Sequence, residues 1–228
     1  MKPGLDTDFA ERFMALALRN PINREILRRL PSLGLEDCWL VAGCLFQAIW
    51  NGRAGRGADA GVHDYDIFYF ESSDLSWEAE DRAIARTRVA LADLGIAFDL
   101  KNQARVHLWY QQRFGSPCPR LTSACDGIDR FPVAGTCVGL SPNFGGDLKL
   151  YAPFGLDDIF SGKLRPTPST TDLARFHIKA ASYQARWPFL TINEAAPDVA
   201  STTSCMTLRA GVTCSASSGS AGAVKHPG

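Results

Sequence analysis

Apolar residues recur every three or four positions over 6–19, where Phe9, Phe13, Leu16 and Ala17 share one face. They do so again over 21–30, through Ile22, Ile26, Leu27 and Leu30. Asn20-Pro21 between the two stretches is a cap followed by proline at the first helical position, and Pro31 ends the second helix. The period then shortens. Trp39-Leu40-Val41-Ala42 suits a short strand, and Gly43 opens a helix through Leu45, Ile49 and Trp50. The stretch 52–61 holds four glycines and two arginines and reads as a flexible loop. Asp64 to Phe70 is a strand, Ser76 caps a helix over 77–94 that stops at Gly95, and Ile96 to Leu100 is a third strand. Residues 103–111 continue into a helix, with shorter ones over 121–131 and after Phe154-Gly155, and a last one over 171–187.

This order predicts a mixed α/β (α+β) domain over 1–192, a small sheet flanked by helices, with the N-terminal helices 6–30 packed on it. After Asn193 the periodicity stops and Ser, Thr, Ala and Gly dominate, so 193–228 reads as a low-complexity, disordered tail.

Charge narrows the partners. Lys+Arg and Asp+Glu balance at 24 each, which argues against a long nucleic acid or an anionic membrane as partner. The longest strictly apolar run, Trp39 to Phe46, is too short to span a bilayer. Asp6, Asp8 and Glu11 stand where a signal peptide would be basic and apolar. Seven cysteines form no Cys-x-x-Cys pair and no zinc spacing, so reduced thiols and a cytoplasmic location are expected.

The chemistry concentrates at Asp64-Tyr65-Asp66. On a strand, residues i and i+2 point to the same face, so the two carboxylates project side by side. Adjacent carboxylates repel unless a cation offsets them, which suits a divalent metal. Gly43, at a strand-to-helix turn, lets backbone N–H groups approach a phosphate at a helix N-terminus. Asp99, on the third strand, is placed to complete the metal cage and to assist deprotonation of an attacking hydroxyl. Together these parts suit attack on the α-phosphate of a nucleotide with pyrophosphate leaving. Taken singly, each has a bland account: a solvated strand end for the aspartates, an ordinary tight turn for Gly43.

The run Asn102 to Tyr110 is dense in polar and aromatic groups. Asn102 and Arg105 are the phosphate-binding candidates there, and His107 is placed to hydrogen-bond a base or an acceptor. An amphipathic helix with Val106, Leu108 and Trp109 in the core explains the same run. Arg53, Arg56 and Arg165 are further anion candidates, while Asp157-Asp158 read as a helix start.

Trp39 to Asn51, Asp64 to Phe70, Lys101 to Tyr110, Ala152 to Asp158 and Leu164-Arg165-Pro166 together resemble a bacterial family described as nucleotidyltransferase-family proteins. The resemblance covers about residues 20–190. It implies the polymerase-β-like nucleotidyltransferase fold, with a nucleoside triphosphate as donor and two Mg²⁺ ions. Asp64 and Asp66 match that superfamily's metal-binding carboxylates and Asp99 its third acidic position. Gly43 matches the first residue of its Gly-Ser or Gly-Gly signature, and Cys44 stands at the second. The loop from Gly43 to Asp64 is also longer than is usual there. The resemblance names no acceptor; a small molecule or a protein hydroxyl suits the balanced charge best. Cys44 and the long loop favour the alternative, an inactive nucleotide-binding or partner-regulating module on the same fold.

Overall fold

The computed structural model describes residues 7–143, 145–168, 170, 173–195 and 205–208. Its helices are α1 (Thr7–Ala17), α2 (Pro21–Arg29), α3 (Gly43–Arg53), α4 (Trp77–Ala90), α5 (Val106–Phe114), α6 (Ala124–Ile128), α7 (Asp157–Ser161) and α8 (Leu173–Arg186). The strands are β1 (Trp39–Val41), β2 (Tyr65–Tyr69), β3 (Phe98–Asn102), β4 (Gly139–Pro142), β5 (Leu148–Tyr151), β6 (Lys163–Leu164), β7 (Thr191–Ile192) and β8 (Cys205–Leu208). Among the described residues, six strands form one mixed sheet in the order β3-β2-β1-β4-β5-β8. Only β2 and β3 run parallel in it, joined by the α4 crossover, while the other neighbours are antiparallel.

Caps set the helix starts. The Asn20 carboxamide accepts from the Ile22 N–H at 2.9 Å, and the Ser76 hydroxyl from the Ala79 N–H at 3.2 Å. Asn20 is fully buried and also donates to the Tyr65 hydroxyl at 3.3 Å, so one residue both starts α2 and ties it to β2. Asn23 donates to the carbonyls of Ala17 and Cys44 at 2.9 and 3.0 Å, which fastens α1, α2 and α3 together.

Burial alternates along β2: Tyr65, Ile67 and Tyr69 are buried while Asp66 and Phe68 are partly exposed. The buried face meets the layer that holds α2 and α4, themselves joined by Arg29, which pairs with Asp93 and donates to the Ala90 carbonyl at 2.8 Å. On the other face Phe68 stacks on Phe131 with ring centroids 5.7 Å apart. Gly139 on β4 leaves room there for Ile128, whose Cδ1 would lie 2.8 Å from any Cβ at that position. Phe46, Trp50, Tyr183 and Trp187 interlock α3 with α8 through tilted and edge-on ring contacts. Both buried indoles are satisfied, Trp50 donating to the Ile159 carbonyl and Trp187 to the Asn51 side chain, each at 3.0 Å.

Three features depart from the expected pattern. β4 and β5 occupy a stretch with no predicted element, because Gly139, Pro142 and a four-residue length conceal the alternation. Cys205–Leu208, inside the expected disordered tail, forms β8 against β5, so this part of 193–228 adds a strand to the sheet; residues 196–204 and 209–228 of the expected tail lie outside the described residues. The glycine-rich loop expected to be flexible is pinned at several points. Asn51 donates to the Ala60 carbonyl at 2.8 Å, Arg56 to the Arg186 carbonyl at 3.1 Å, and Arg186 to the Gly61 carbonyl at 2.7 Å.

Candidate active site

The site begins where β1 turns into α3. Ala42, the residue between them, has φ 49° and ψ −107°, a conformation that side-chain-bearing residues rarely adopt. Its carbonyl accepts from the N–H groups of Leu45 and Phe46 at 2.9 and 3.2 Å. The N–H groups of Gly43 and Cys44 come before that first bond, so they have no intrahelical partner and are open to an anion. Gly43 is required by a neighbour: a Cβ there would lie 3.2 Å from the Gln47 Nε2. Cys44 is fully buried, its thiol directed at the Val41 carbonyl at 3.8 Å. Burial pushes that thiol well above its ordinary value, and the nearby Asp66 and Asp64 push in the same direction. The Cys44 side chain is therefore part of the core, and what this position offers a phosphate is its backbone amide.

The carboxylates lie beside this turn. Asp66 on β2 stands opposite Val41 on β1 and opposite Asp99 on β3. Residues opposite each other across a sheet share a face. Asp64, exposed and two residues before Asp66, projects to the same side. Burial raises Asp66 to about 7, with Asp64 and Asp99 adding to the rise and Lys179 and Lys101 opposing it. Asp99 meanwhile makes an ion pair of 2.9 Å with Lys101. Among the described residues no three Asp, Glu, His or Cys side chains are gathered closely enough to hold a metal ion as they stand. Mutual repulsion and the Lys101 contact account for the spacing. The donor set nonetheless fits a hard divalent cation, because three carboxylates converge on one buried acid that stays protonated near neutrality without one.

A third side comes from α8, which the sequence pattern identified only as a closing helix. Lys179, Tyr183 and Arg186 follow one another at helical spacing, so they share a face. Lys179 acts on Asp66, and its ammonium lies 5.5 Å from the Tyr183 ring centroid. Burial and then the Asp66 charge raise the Tyr183 phenol, which places this ring against the same acid. Arg186 donates to the Gln47 Oε1 at 2.8 Å, the same carboxamide that rests on Gly43. The signal for these residues was in the sequence, as basic groups interleaved with Phe176, Ala180 and Tyr183, but it resembles any solvated helix face.

Asn102 and Arg105 are not brought to this cluster. Asn102 lies three residues along β3 from Asp99, about 10 Å at ordinary strand rise. Its side chain donates to the Glu71 carbonyl at 2.8 Å and accepts from the Ala104 N–H at 3.1 Å, capping the turn after β3. Arg105 is buried, ion-paired to Glu80 and bonded through Nε to the Leu75 carbonyl at 3.0 Å. Its guanidinium is occupied by structure. His107, in the α5 turn, has both ring nitrogens enclosed without a partner. Arg53 donates to the Phe160 and Ser161 carbonyls, and Arg165 pairs with buried Asp158 at 2.8 Å, so neither is available to an anion here.

A nucleotidyltransferase family matches residues 28–192, more than half of the chain. The chain belongs to this nucleotidyltransferase family. The matched segment contains Gly43, Asp64, Asp66, Asp99, Lys179 and Arg186. Curated proteins give no match. A solved structure whose description says that it reveals a CCA-adding enzyme head domain is similar, at 26% identity and a TM-score of 0.65. The alignment covers 86% of this chain and 98% of that one. This nucleotidyltransferase thus has the mixed α/β fold of such a head domain, as its sequence predicts. Among the described residues, no helix is long and apolar enough to cross a membrane.

Proposed function

We propose that this nucleotidyltransferase moves a nucleoside monophosphate from a nucleoside triphosphate to an acceptor hydroxyl, releasing pyrophosphate, in a divalent-metal-dependent reaction. The observation that carries the reading is Asp66. It is a partly buried acid raised to about 7 between Asp64 and Asp99, beside the open amides that start α3. An acid in that setting is costly to the fold and is explained by a cation that it holds.

In this reading Asp64, Asp66 and Asp99 hold the metal, two Mg²⁺ ions in the full assembly, which when bound neutralises phosphate charge. The Gly43 and Cys44 amides receive phosphate oxygens at the α3 N-terminus. Lys179 and Arg186, on the same face of α8, complement the remaining negative charge. Asp99, nearest the open edge of the sheet, accepts the proton of the attacking hydroxyl. The cysteines support a reducing compartment, the cytoplasm: Cys38, Cys44, Cys118 and Cys137 are buried free thiols.

The test is calorimetric titration of the four ribonucleoside triphosphates, with Mg²⁺ and with chelator, into wild type and Asp64→Asn/Asp66→Asn. Metal-dependent binding lost in the double variant, with pyrophosphate released by wild type, is the expected result. Equal binding by both proteins overturns the assignment. A second reading, binding without reaction, is favoured by the Asp99–Lys101 pair, which holds the third carboxylate off the other two. It predicts metal-dependent binding with no pyrophosphate released.

A further inference from the structure

β3 is an edge strand of the main sheet, and one side of its backbone is open. Backbone groups alternate sides along a strand. Ala97 offers its carbonyl to the Tyr65 N–H at 3.1 Å, so positions 97, 99 and 101 face β2. The Asn102 N–H points the other way and is taken by Glu80 Oε1 at 2.8 Å. The amides and carbonyls of Phe98 and Leu100 therefore point outward, as that of Asn102 does, into a groove between β3 and α4. The groove has a volume of about 360 Å³ and is lined by Ile84, Arg88 and the strand from Ile96 to Leu100, Asp99 included. Arg88 is exposed and makes no ion pair among the described residues.

We propose that the acceptor is an extended segment of a protein, added as a further strand to the open edge of β3. This rests on the nucleotidyl-transfer reading of the site and deepens it. Main-chain pairing with Phe98 and Leu100 gives sequence-independent affinity, as in other strand-addition recognition. The register then decides the chemistry. A residue opposite Asp99 on the added strand shares the face of Asp99 and Asp66, one interstrand spacing of about 4.8 Å away. A Ser, Thr or Tyr there presents its hydroxyl to the acidic cluster. Its oxygen forms a bond to the α-phosphorus of the triphosphate, the bond from that phosphorus to the β-phosphate bridging oxygen breaks, and pyrophosphate leaves with the electron pair. The hydroxyl proton passes to Asp99. The residues on either side of the hydroxyl point to the opposite face, against Ile84 and Arg88. An apolar residue on one side and an acidic one on the other suit that pair of neighbours.

The test uses the full chain, each α-labelled ribonucleoside triphosphate with Mg²⁺, and pools of nonapeptides with central Ser, Thr or Tyr flanked by Glu or by Lys. The expected result is label on the central hydroxyl, at least tenfold more in the Glu pools, lost when the peptide amides beside the centre are N-methylated. Hydrogen exchange at the Phe98 and Leu100 amides slows in the presence of the Glu pool. Arg88→Glu reverses the flanking preference and leaves metal-dependent triphosphate binding unchanged. If triphosphate binds with metal but no pool is labelled, or labelling ignores N-methylation and Arg88→Glu, the acceptor site lies elsewhere; the inference falls and the proposed function stands. If no triphosphate binds with metal, both fall.

Discussion

Asp66 and Asp99 stand directly opposite each other across the parallel β2–β3 ladder. Like charges in that relation destabilise a sheet unless something offsets them. Lys101 offsets Asp99 by an ion pair, and Asp66 responds by taking up a proton at about pH 7. The pairing therefore makes the site sensitive to both pH and cations.

Metal binding requires the Asp66 carboxylate. Below pH 7 the protonated acid competes with the metal, so Mg²⁺ or Mn²⁺ affinity is expected to fall about tenfold per pH unit and to level off above neutrality. Calorimetry between pH 5.5 and 8.5, at constant ionic strength, measures the slope. A pH-independent affinity would remove Asp66 from the metal site.

Stability without metal has the opposite trend. The folded value of Asp66 is about 7 and the ordinary carboxylate value is 3.8. Between those limits the folded state binds more protons than the unfolded one, so stability declines as pH rises and flattens above 7. Asp66→Asn removes the effect. At pH 8 without metal this variant is expected to be more stable than wild type by about 1 kcal/mol, a rise of about 2–4 °C in Tm for a chain of this size. It is expected to have no turnover. Added Mg²⁺ raises the Tm of wild type alone.

Arg105 is an anchor for α4, paired with Glu80, which also holds the Asn102 amide. Arg105→Ala leaves a buried carboxylate unpaired and is expected to cost about 3–5 kcal/mol in denaturant unfolding. Where the variant is folded, triphosphate affinity is expected to stay within twofold. Arg105→Met/Glu80→Gln recovers much of the lost stability. A selective loss of nucleotide binding in Arg105→Ala, with unfolding unchanged, would return Arg105 to the binding site.

Lys179 lowers the Asp66 value from a helix more than a hundred residues away in the chain. In Lys179→Met the Asp66 midpoint, followed by carboxyl NMR, moves further up. Turnover at pH 7 falls about tenfold or more, equivalent to at least one pKa unit of lost electrostatic support. Raising the pH restores part of it. A drop in turnover that pH does not relieve would mean that Lys179 acts on the triphosphate and not through Asp66.

The chain's local pattern determined a great deal. Helical spacing and the Asn20 and Ser76 caps place α1, α2 and α4, because these signals involve residues within one turn of each other. Strand alternation puts Asp64 and Asp66 on one face for the same local reason. The tertiary structure decided the rest. Which residue stands opposite Asp66 depends on the β2–β3 register, set by a crossover and not by neighbours in sequence. Arg105 has the composition of an anion binder, yet Glu80 claims it, and a guanidinium satisfied in the core is lost to a ligand. Lys179 and Arg186 look like an ordinary polar helix face until the aromatic contacts of α8 with α3 bring them to Asp66 and Gly43. β4, β5 and β8 carry too few alternating residues to be read singly, and they exist because each completes another's hydrogen bonds. Periodicity is a property of the chain alone, whereas charge partners and strand neighbours belong to the folded molecule.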